Sequence, residues 1–480
     1  MEASGVKFGT SGARGLVTDM SDRVCYIYTQ GYLQYLDQIG ELSPGSLVAV
    51  GGDLRTSTGR IMAAVAQACR DKGHSVRCCG RLPTPALALE GIKEGIPTAM
   101  VTGSHIPDDR NGIKYTKKAG EILKNDEAGM KEQVVQFDDS LFDDRGMLRR
   151  PPIPEAIDTG PSRRYVQRYL DYFGKNSLQG LRVGVFQHSA VGRDLMMEIY
   201  EGLGAEVIVL GRSEIFIPVD TEAIRPEDVD SAHRWAKEHG LDAIVSTDGD
   251  SDRPLLADEH GKFFRGDVAG ILVAAQLGAQ AVVTSVSCNT ALEKSGWFPH
   301  CARCRIGSPW VIETMQNLET EGLGPVVGYE ANGGFLIQSP IETNGRRLTP
   351  LPTRDAFLVQ LALLERARQK GVPLSKLSEE LPERYTVSDR LKNFPQDLGQ
   401  AKLAELKDAE TVNAAFSQAF GPVAELDRTD GLRIIFTNEE VVHLRASGNA
   451  PEFRCYTEAA TEKRALTINR MTMDILAGWR

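Results

Sequence analysis

Residues 47–80 read LVAVGGDLRTSTGRIMAAVAQACRDKGHSVRCCG. A β-rich apolar run leads into a glycine- and polar-rich loop, an amphipathic helical stretch, a glycine and a second β-rich run. The same succession returns at 181–211, LRVGVFQHSAVGRDLMMEIYEGLGAEVIVLG, and in degenerate form at 281–307. Strands alternating with helices at this spacing predict β-α-β units with parallel strands and right-handed crossovers. A pattern used three times predicts three related α/β domains.

Each unit is followed by a further strand that ends in an unusual loop. After Thr98-Ala99-Met100-Val101 comes TGSHIPDDRNGIKY, after Asp242-Ala243-Ile244-Val245 comes STDGDSDRPLL, and after Pro325-Val326-Val327 comes GYEANGGF. Loops beyond strand ends are where α/β folds place chemistry. Three of them aimed at one cleft predict a composite active site. The last hundred residues differ: helical and loop segments lead to β-like runs at 431–436, 441–446 and 453–458 and a terminal helix, a smaller α+β domain. The expected domains are 1–155, 156–261, 262–375 and 376–480, with linkers near Pro151-Pro152-Ile153-Pro154, around His260-Gly261 and at 373–382.

Composition narrows the class. Lys+Arg 55 against Asp+Glu 65 gives −10, which disfavours a nucleic-acid or membrane-surface binder. At 480 residues and 41% hydrophobic content, two to four domains with large cores are expected. Glu2-Ala3-Ser4-Gly5-Val6 is neither basic nor apolar, so no leader peptide is expected. The uncharged stretch 268–289 reads as a buried helix and a buried strand divided by Gly278, not a membrane span. Cys301 and Cys304 form a C-x-x-C without a second pair, half a zinc ribbon, and reduced thiols in a cytoplasmic protein are expected. The oligomeric state stays open between monomer and homodimer.

The most informative loop is Asp248-Gly249-Asp250-Ser251-Asp252-Arg253. Three carboxylates at alternate positions of a short loop can converge, and without a cation they repel by about 1 kcal/mol per pair at ~4 Å in water, more where solvent is excluded. The spacing asks for a hard divalent ion such as Mg²⁺, with coordination left open for water or a phosphate oxygen. A calcium loop fails in detail: Arg253 stands where glycine is required, Pro254 follows, and the flanks look like strands.

In Thr102-Gly103-Ser104-His105-Ile106-Pro107, followed by Asn111-Gly112-Ile113-Lys114, serine sits beside histidine. A hydrolase triad is disfavoured, since adjacent residues of an extended segment point opposite ways and the G-x-S-x-G elbow is absent. A serine near a metal can instead carry a phosphoryl group. Arg445-Ala446-Ser447-Gly448-Asn449-Ala450-Pro451 with Arg454 combines guanidinium, hydroxyl and backbone N–H groups into an anion nest suited to phosphate. In Gly328-Tyr329-Glu330-Ala331-Asn332-Gly333-Gly334, Glu330 and Asn332 are able to bond neighbouring sugar hydroxyls, although N-G-G also reads as a plain turn. Phe8-Gly9-Thr10-Ser11-Gly12-Ala13-Arg14-Gly15 adds a glycine-rich turn with an arginine.

These five loops, in this order and spacing, resemble the α-D-phosphohexomutases over essentially the whole chain, most specifically in T-G-S-H-x-P, D-G-D-x-D-R and R-x-S-G-x-x-P-x-x-R. The resemblance implies four domains around a central cleft, three related and the fourth smaller. It implies Ser104 as phosphoserine and as a ligand of Mg²⁺ with Asp248, Asp250 and Asp252. Arg445, Ser447, Gly448, Asn449 and Arg454 then hold the substrate phosphate, and Glu330 and Asn332 meet the sugar. Lys114 and His105 are the candidates for acid–base work, with Arg14 supporting, and Arg253 with Lys114 stabilises charge. The chain departs from the family pattern at Ile106, Ser308, Asn332, Gly334, Asn449 and Ala450, which bears on the choice of sugar. The expected activity is reversible phosphate transfer between O6 and O1 of a hexose phosphate through a 1,6-bisphosphate, mannose phosphate preferred. The alternatives are glucose or glucosamine phosphate, a phosphatase, or a non-catalytic phosphosugar binder.

Overall fold

The computed structural model describes residues 4–9, 12–152, 156–343, 345–447 and 451–479. Its first three units are built on one plan. Leu47–Gly52 is flanked by the parallel strands Ser75–Arg81 and Thr98–Val101, and Arg110–Lys117 returns antiparallel against the latter. In the second unit Arg182–His188 is flanked by Glu206–Arg212 and Ala243–Thr247, with Pro254–Ala257 returning. In the third, Ala281–Ser285 is flanked by His300–Cys304 and Val326–Tyr329, with Phe335–Ile337 returning. The first sheet gains three more strands, among them Ala13–Leu16 against Arg110–Lys117. The three loops singled out above are therefore one loop of one plan, the turn between the third parallel strand and its antiparallel return.

Local chemistry explains the elements. The central strands are buried along almost their whole length because helices cover both faces; Ala281–Ser285 is buried throughout. Helix Thr84–Glu94 starts with proline in its first turn and ends at Gly95 in the left-handed region (φ 63). Helix Pro226–His239 repeats both signals, ending at Gly240 (φ 56). In the third unit the expected amphipathic helix is only Ala291–Lys294, cut short before Gly296 (φ 67). The uncharged stretch resolves into helix Gly266–Gln276 and strand Ala281–Ser285. Among the described residues no helix is long and apolar enough to cross a membrane.

The fourth unit is a five-stranded antiparallel sheet in the order Tyr385–Lys392, Glu452–Ala459, Val441–Ala446, Leu432–Phe436, Val423–Asp427, with helix Glu462–Ala477 packed on it. Its two outer strands were not expected. Asp389, Arg390, Lys392, Glu425 and Asp427 obscure them, and such charges are how exposed sheet edges avoid pairing with other chains. Two expected linkers are ordered elements. His260-Gly261 lies in a tight turn whose flanks pair, Ala257 against Phe263, and 373–382 contains the helical turn Leu374–Glu380 with Leu374 and Leu377 buried. Residues 153–155 of the proline-rich linker lie outside the described residues.

The first three units share one apolar core running through Leu87, Tyr169, Val185, Met196, Leu272, Phe335 and Phe357. The fourth has its own, built on Phe416, Leu432, Ile434 and Phe453. It is tied to the third largely by polar contacts: Asn289 Nδ2 to Arg384 O (2.8 Å), Thr290 N to Glu458 Oε2 (3.0 Å) and Ile306 N to Asp430 Oδ2 (3.0 Å). None of the eight cysteines is in a disulfide.

Candidate active site

The serine loop is held from below. Thr102 Oγ1 donates to Asp53 Oδ2 (2.7 Å) and accepts from Ser104 N (2.8 Å). Arg55, fully buried, donates to the carbonyls of Ser104 (2.9 Å), Ile106, Pro107 (2.6 Å) and Arg110 (3.1 Å) and pairs with Asp53. Gly103 lies against that guanidinium: a Cβ there would stand 2.5 Å from Arg55 Cζ. Pinned in this way, Ser104 adopts a left-handed backbone, φ 56. That corrects one expectation, because the segment is not extended at this point. The turn brings His105 Nδ1 to 3.3 Å from Ser104 Oγ, so the two side chains do meet.

The aspartate loop meets the serine loop directly. Ser104 Oγ donates to Asp248 Oδ2 at 2.6 Å, and Gly249 permits the approach, since a Cβ there would stand 2.7 Å from Ser104 O. Ser251 takes the left-handed turn (φ 59) and its hydroxyl accepts from Thr247 Oγ1 and Gly192 N. Asp248, Asp250 and Asp252 are fully buried, each offering a carboxylate oxygen within 4.8 Å of the others. Lys114 Nζ donates to Asp250 Oδ2 and Asp252 Oδ2, both at 2.6 Å, and Thr84 Oγ1 to Asp250 Oδ2 at 2.6 Å. Asp250 Oδ1 and Asp252 Oδ1 are buried without a hydrogen bond, and Arg253 Nε stands 3.8 Å from the latter.

Two orphaned anionic oxygens in a dry site are costly unless a cation receives them. With Asp248 and the Ser104 hydroxyl they make an all-oxygen set, the chemistry of a hard divalent ion. The electrostatics agree. Burial and its two acidic neighbours push Asp248 well above the carboxylate range. Burial acts the same way on Asp252, but Arg354, Lys114 and Arg253 overcome it and hold that group well below. Burial, then Arg253 and Arg14, drive His105 far down, which keeps its imidazole neutral. Burial would lower Lys114, yet Asp250 and Asp252 raise it, so it stays an ammonium.

The other expected residues fall into two groups. Arg14 and Arg253 face this cluster, each with a buried Nε that makes no hydrogen bond, and burial with Arg253 nearby lowers Arg14 to about 10. Glu330 is buried and accepts from Arg354 Nη1 at 3.1 Å. Asn332 Oδ1 accepts Gly334 N (2.8 Å), so half of that amide closes its own turn. Arg445 and Arg454 sit opposite each other on adjacent strands of the fourth sheet, bonded to Asp430 (3.0 Å) and Glu452 (3.5 Å). Ser447 is buried beside them; Gly448 and Asn449 lie outside the described residues. Glu222 of the second unit is an electrostatic neighbour of both Arg253 and Arg454.

Reading the sequence missed Arg55, Thr84, Glu121 and Arg354. Arg354 spans two loops, donating to Asp252 Oδ2 through Nε (3.1 Å) and Nη2 (2.9 Å) as well as to Glu330. Its only signal was a charged pair, Arg354-Asp355, opening an apolar helix. Arg55 stood inside the first repeat but carries no motif.

Comparison with known proteins covers the same ground. Residues 5–139, 163–261 and 265–385 match the phosphoglucomutase/phosphomannomutase alpha/beta/alpha domains I, II and III, and 397–475 match the C-terminal domain. A phosphomannomutase of Salmonella muenchen is 41% identical over 471 residues, 97% of this chain and 94% of the relative. One from Sinorhizobium fredii is 42% identical over 459 residues, 95% of each. In fold, a phosphoglucomutase/phosphomannomutase family protein from Burkholderia thailandensis superposes with TM-score 0.74 at 20% identity, covering 98% of this chain and 97% of that one. On whole-chain identity and on all four domains, this chain belongs to the phosphoglucomutase/phosphomannomutase family.

Proposed function

We propose that this chain is a phosphomannomutase, moving phosphate between O6 and O1 of mannose phosphate through Ser104. The carrying observation is the meeting of the Ser104 hydroxyl with Asp248 at 2.6 Å beside two buried carboxylate oxygens that make no hydrogen bond. Mannose is chosen because the two relatives named above, 41% and 42% identical, bear that name.

In this scheme Ser104 starts each cycle phosphorylated. The sugar hydroxyl attacks phosphorus, the bond from phosphorus to Ser104 Oγ breaks, and the hydroxyl proton leaves to a base. His105, neutral and 3.3 Å from Oγ, is placed to take it and pass it to Oγ as the serine leaves, and to take it back from Oγ when the reaction runs backward. Asp248, Asp250, Asp252 and Ser104 would hold Mg²⁺, which when bound supplies Lewis-acid stabilisation of the transferring group. Lys114 and Arg253 add fixed positive charge on the same side. Arg445, Ser447 and Arg454 grip the phosphate that is not reacting, which lets one site accept the sugar in both orientations after the bisphosphate turns. Glu330 and the Asn332 turn meet the ring hydroxyls.

Isomer formation from mannose, glucose and glucosamine phosphates, assayed side by side with Mg²⁺ and a trace of bisphosphate, tests the reading. Mannose phosphate should have the highest kcat/KM, and Ser104→Ala should abolish turnover. Intact mass should show a phosphorylated subpopulation that discharges onto hexose phosphate. Wild-type activity in the alanine variant would remove the serine from the mechanism, and net release of inorganic phosphate would make the protein a phosphatase.

A further inference from the structure

Arg354 has no part in the transfer scheme, yet it is tightly constrained. It lies two residues before helix Ala356–Lys370, and its neighbour Asp355 accepts from the hydroxyls of Tyr165 (2.6 Å) and Tyr169, which fixes the backbone at this point. The side chain is 3% exposed. Two donors grip Asp252 Oδ2 from the second unit and a third grips Glu330 Oε2 from the third. Lys114 shares the same oxygen of Asp252, so Oδ1, without a hydrogen bond and 3.8 Å from Arg253 Nε, is the oxygen left for a cation. Likewise Glu330 keeps only Oε1 for a ligand.

The loop leaves room for this side chain. Gly333 supplies the left-handed turn (φ 86), so Gly334 is not needed for backbone freedom. A Cβ on Gly334 would stand 2.4 Å from Arg354 Cδ and 2.6 Å from Cγ. The second glycine therefore makes space for the arginine stem. A planar guanidinium can hold two carboxylates at a fixed angle; an ammonium on a flexible stem cannot.

We propose that Arg354 is a positioning residue that ties the cation-binding aspartate loop to the sugar-reading Glu330 loop, setting hydroxyl discrimination at one and charge at the other. The proposal rests on the phosphohexomutase reading for its sugar half only. The test compares wild type with Arg354→Met, Arg354→Lys and Gly334→Ala, each checked for wild-type circular dichroism. The first measurement is kcat/KM on mannose, glucose and galactose phosphates. The spread between best and worst substrate should contract at least tenfold in Arg354→Met and also in Arg354→Lys, and by a smaller factor in Gly334→Ala.

The second measurement, on resting protein without sugar, is Mn²⁺ affinity by electron paramagnetic resonance. Losing a neighbouring cation should tighten Mn²⁺ at least threefold in Arg354→Met. Arg354→Lys, which keeps the charge, should stay within twofold of wild type. General damage would loosen binding instead. A spread unchanged in both arginine variants, or Mn²⁺ binding unchanged or weaker in Arg354→Met, overturns the proposal. A wild type inactive on every hexose phosphate defeats the functional reading, while the Mn²⁺ arm still decides whether Arg354 governs Asp252.

Discussion

A left-handed serine costs about 1–3 kcal/mol, and such strain persists only where the surroundings enforce it. At Ser104 the enforcement comes from Arg55, whose guanidinium collects carbonyls along the whole loop under the ring of Phe216, 4.0 Å away. Arg55→Met should lower stability by about 3 kcal/mol or more, because Asp53 is left buried and unpaired. It should also cut kcat by roughly 10²-fold through misplaced serine; a wild-type kcat would mean that the loop holds itself. Lys114→Met removes the ammonium between Asp250 and Asp252 and should cost about 10²–10³-fold in kcat, read by steady-state assay. Ser104 and the aspartates were legible in the sequence because residue type and spacing already state their chemistry. Arg354 and Arg55 were not, since a lone arginine does not say which distant carboxylates and carbonyls it will meet. The proximity of His105 was misjudged for a related reason: the sign of φ at Ser104 is set by Arg55, far from it in sequence.

Among the elements, the repeated unit was visible because strand and helix periodicities survive divergence, whereas the charged outer strands of the fourth sheet resemble loops. One inner strand of that sheet carries a titration. His443, on Val441–Ala446, is 1% exposed, donates Nε2 to Asp430 O (2.6 Å) and stacks on Tyr456. Burial lowers it from the ordinary 6.5 to about 4. His188, on Arg182–His188, is buried and lowered likewise to about 4. Both are neutral in the folded chain and protonate near 6.5 when unfolded. Their stabilisation is complete above pH ~6.5 and is lost as pH falls toward 4, by up to about 3 kcal/mol each. Thermal melts from pH 7.5 to 4.5 should show it, and His443→Gln should be less stable at neutral pH but fall less steeply on acidification. A variant slope equal to wild type would assign the acid sensitivity elsewhere.

For the molecule as a whole, the division of the core matters. Three units are fused by apolar packing, while the fourth is joined through Arg384, Glu458, Asn289 and Thr290. Glu458→Gln weakens that joint, where Arg384 Nε meets Glu458 at 2.6 Å. Since the proposed phosphate grip sits on the fourth sheet and the aspartates on the second, KM for hexose phosphate should rise about tenfold with Mn²⁺ affinity unchanged. Equal losses in both would show that the joint supports the entire site. Glu121 makes a second tie, accepting from Ser308 (3.0 Å) and Thr353 (2.6 Å), so the first and third units are also latched across the site.

Ser104 has no solvent-accessible surface. A phosphate carried there, as proposed, would be sheltered from hydrolysis between cycles. In the proposed reaction a sugar reaches that atom only by movement of the surrounding chain, and turnover is then expected to fall as solvent viscosity rises, read by steady-state assay in glycerol or sucrose.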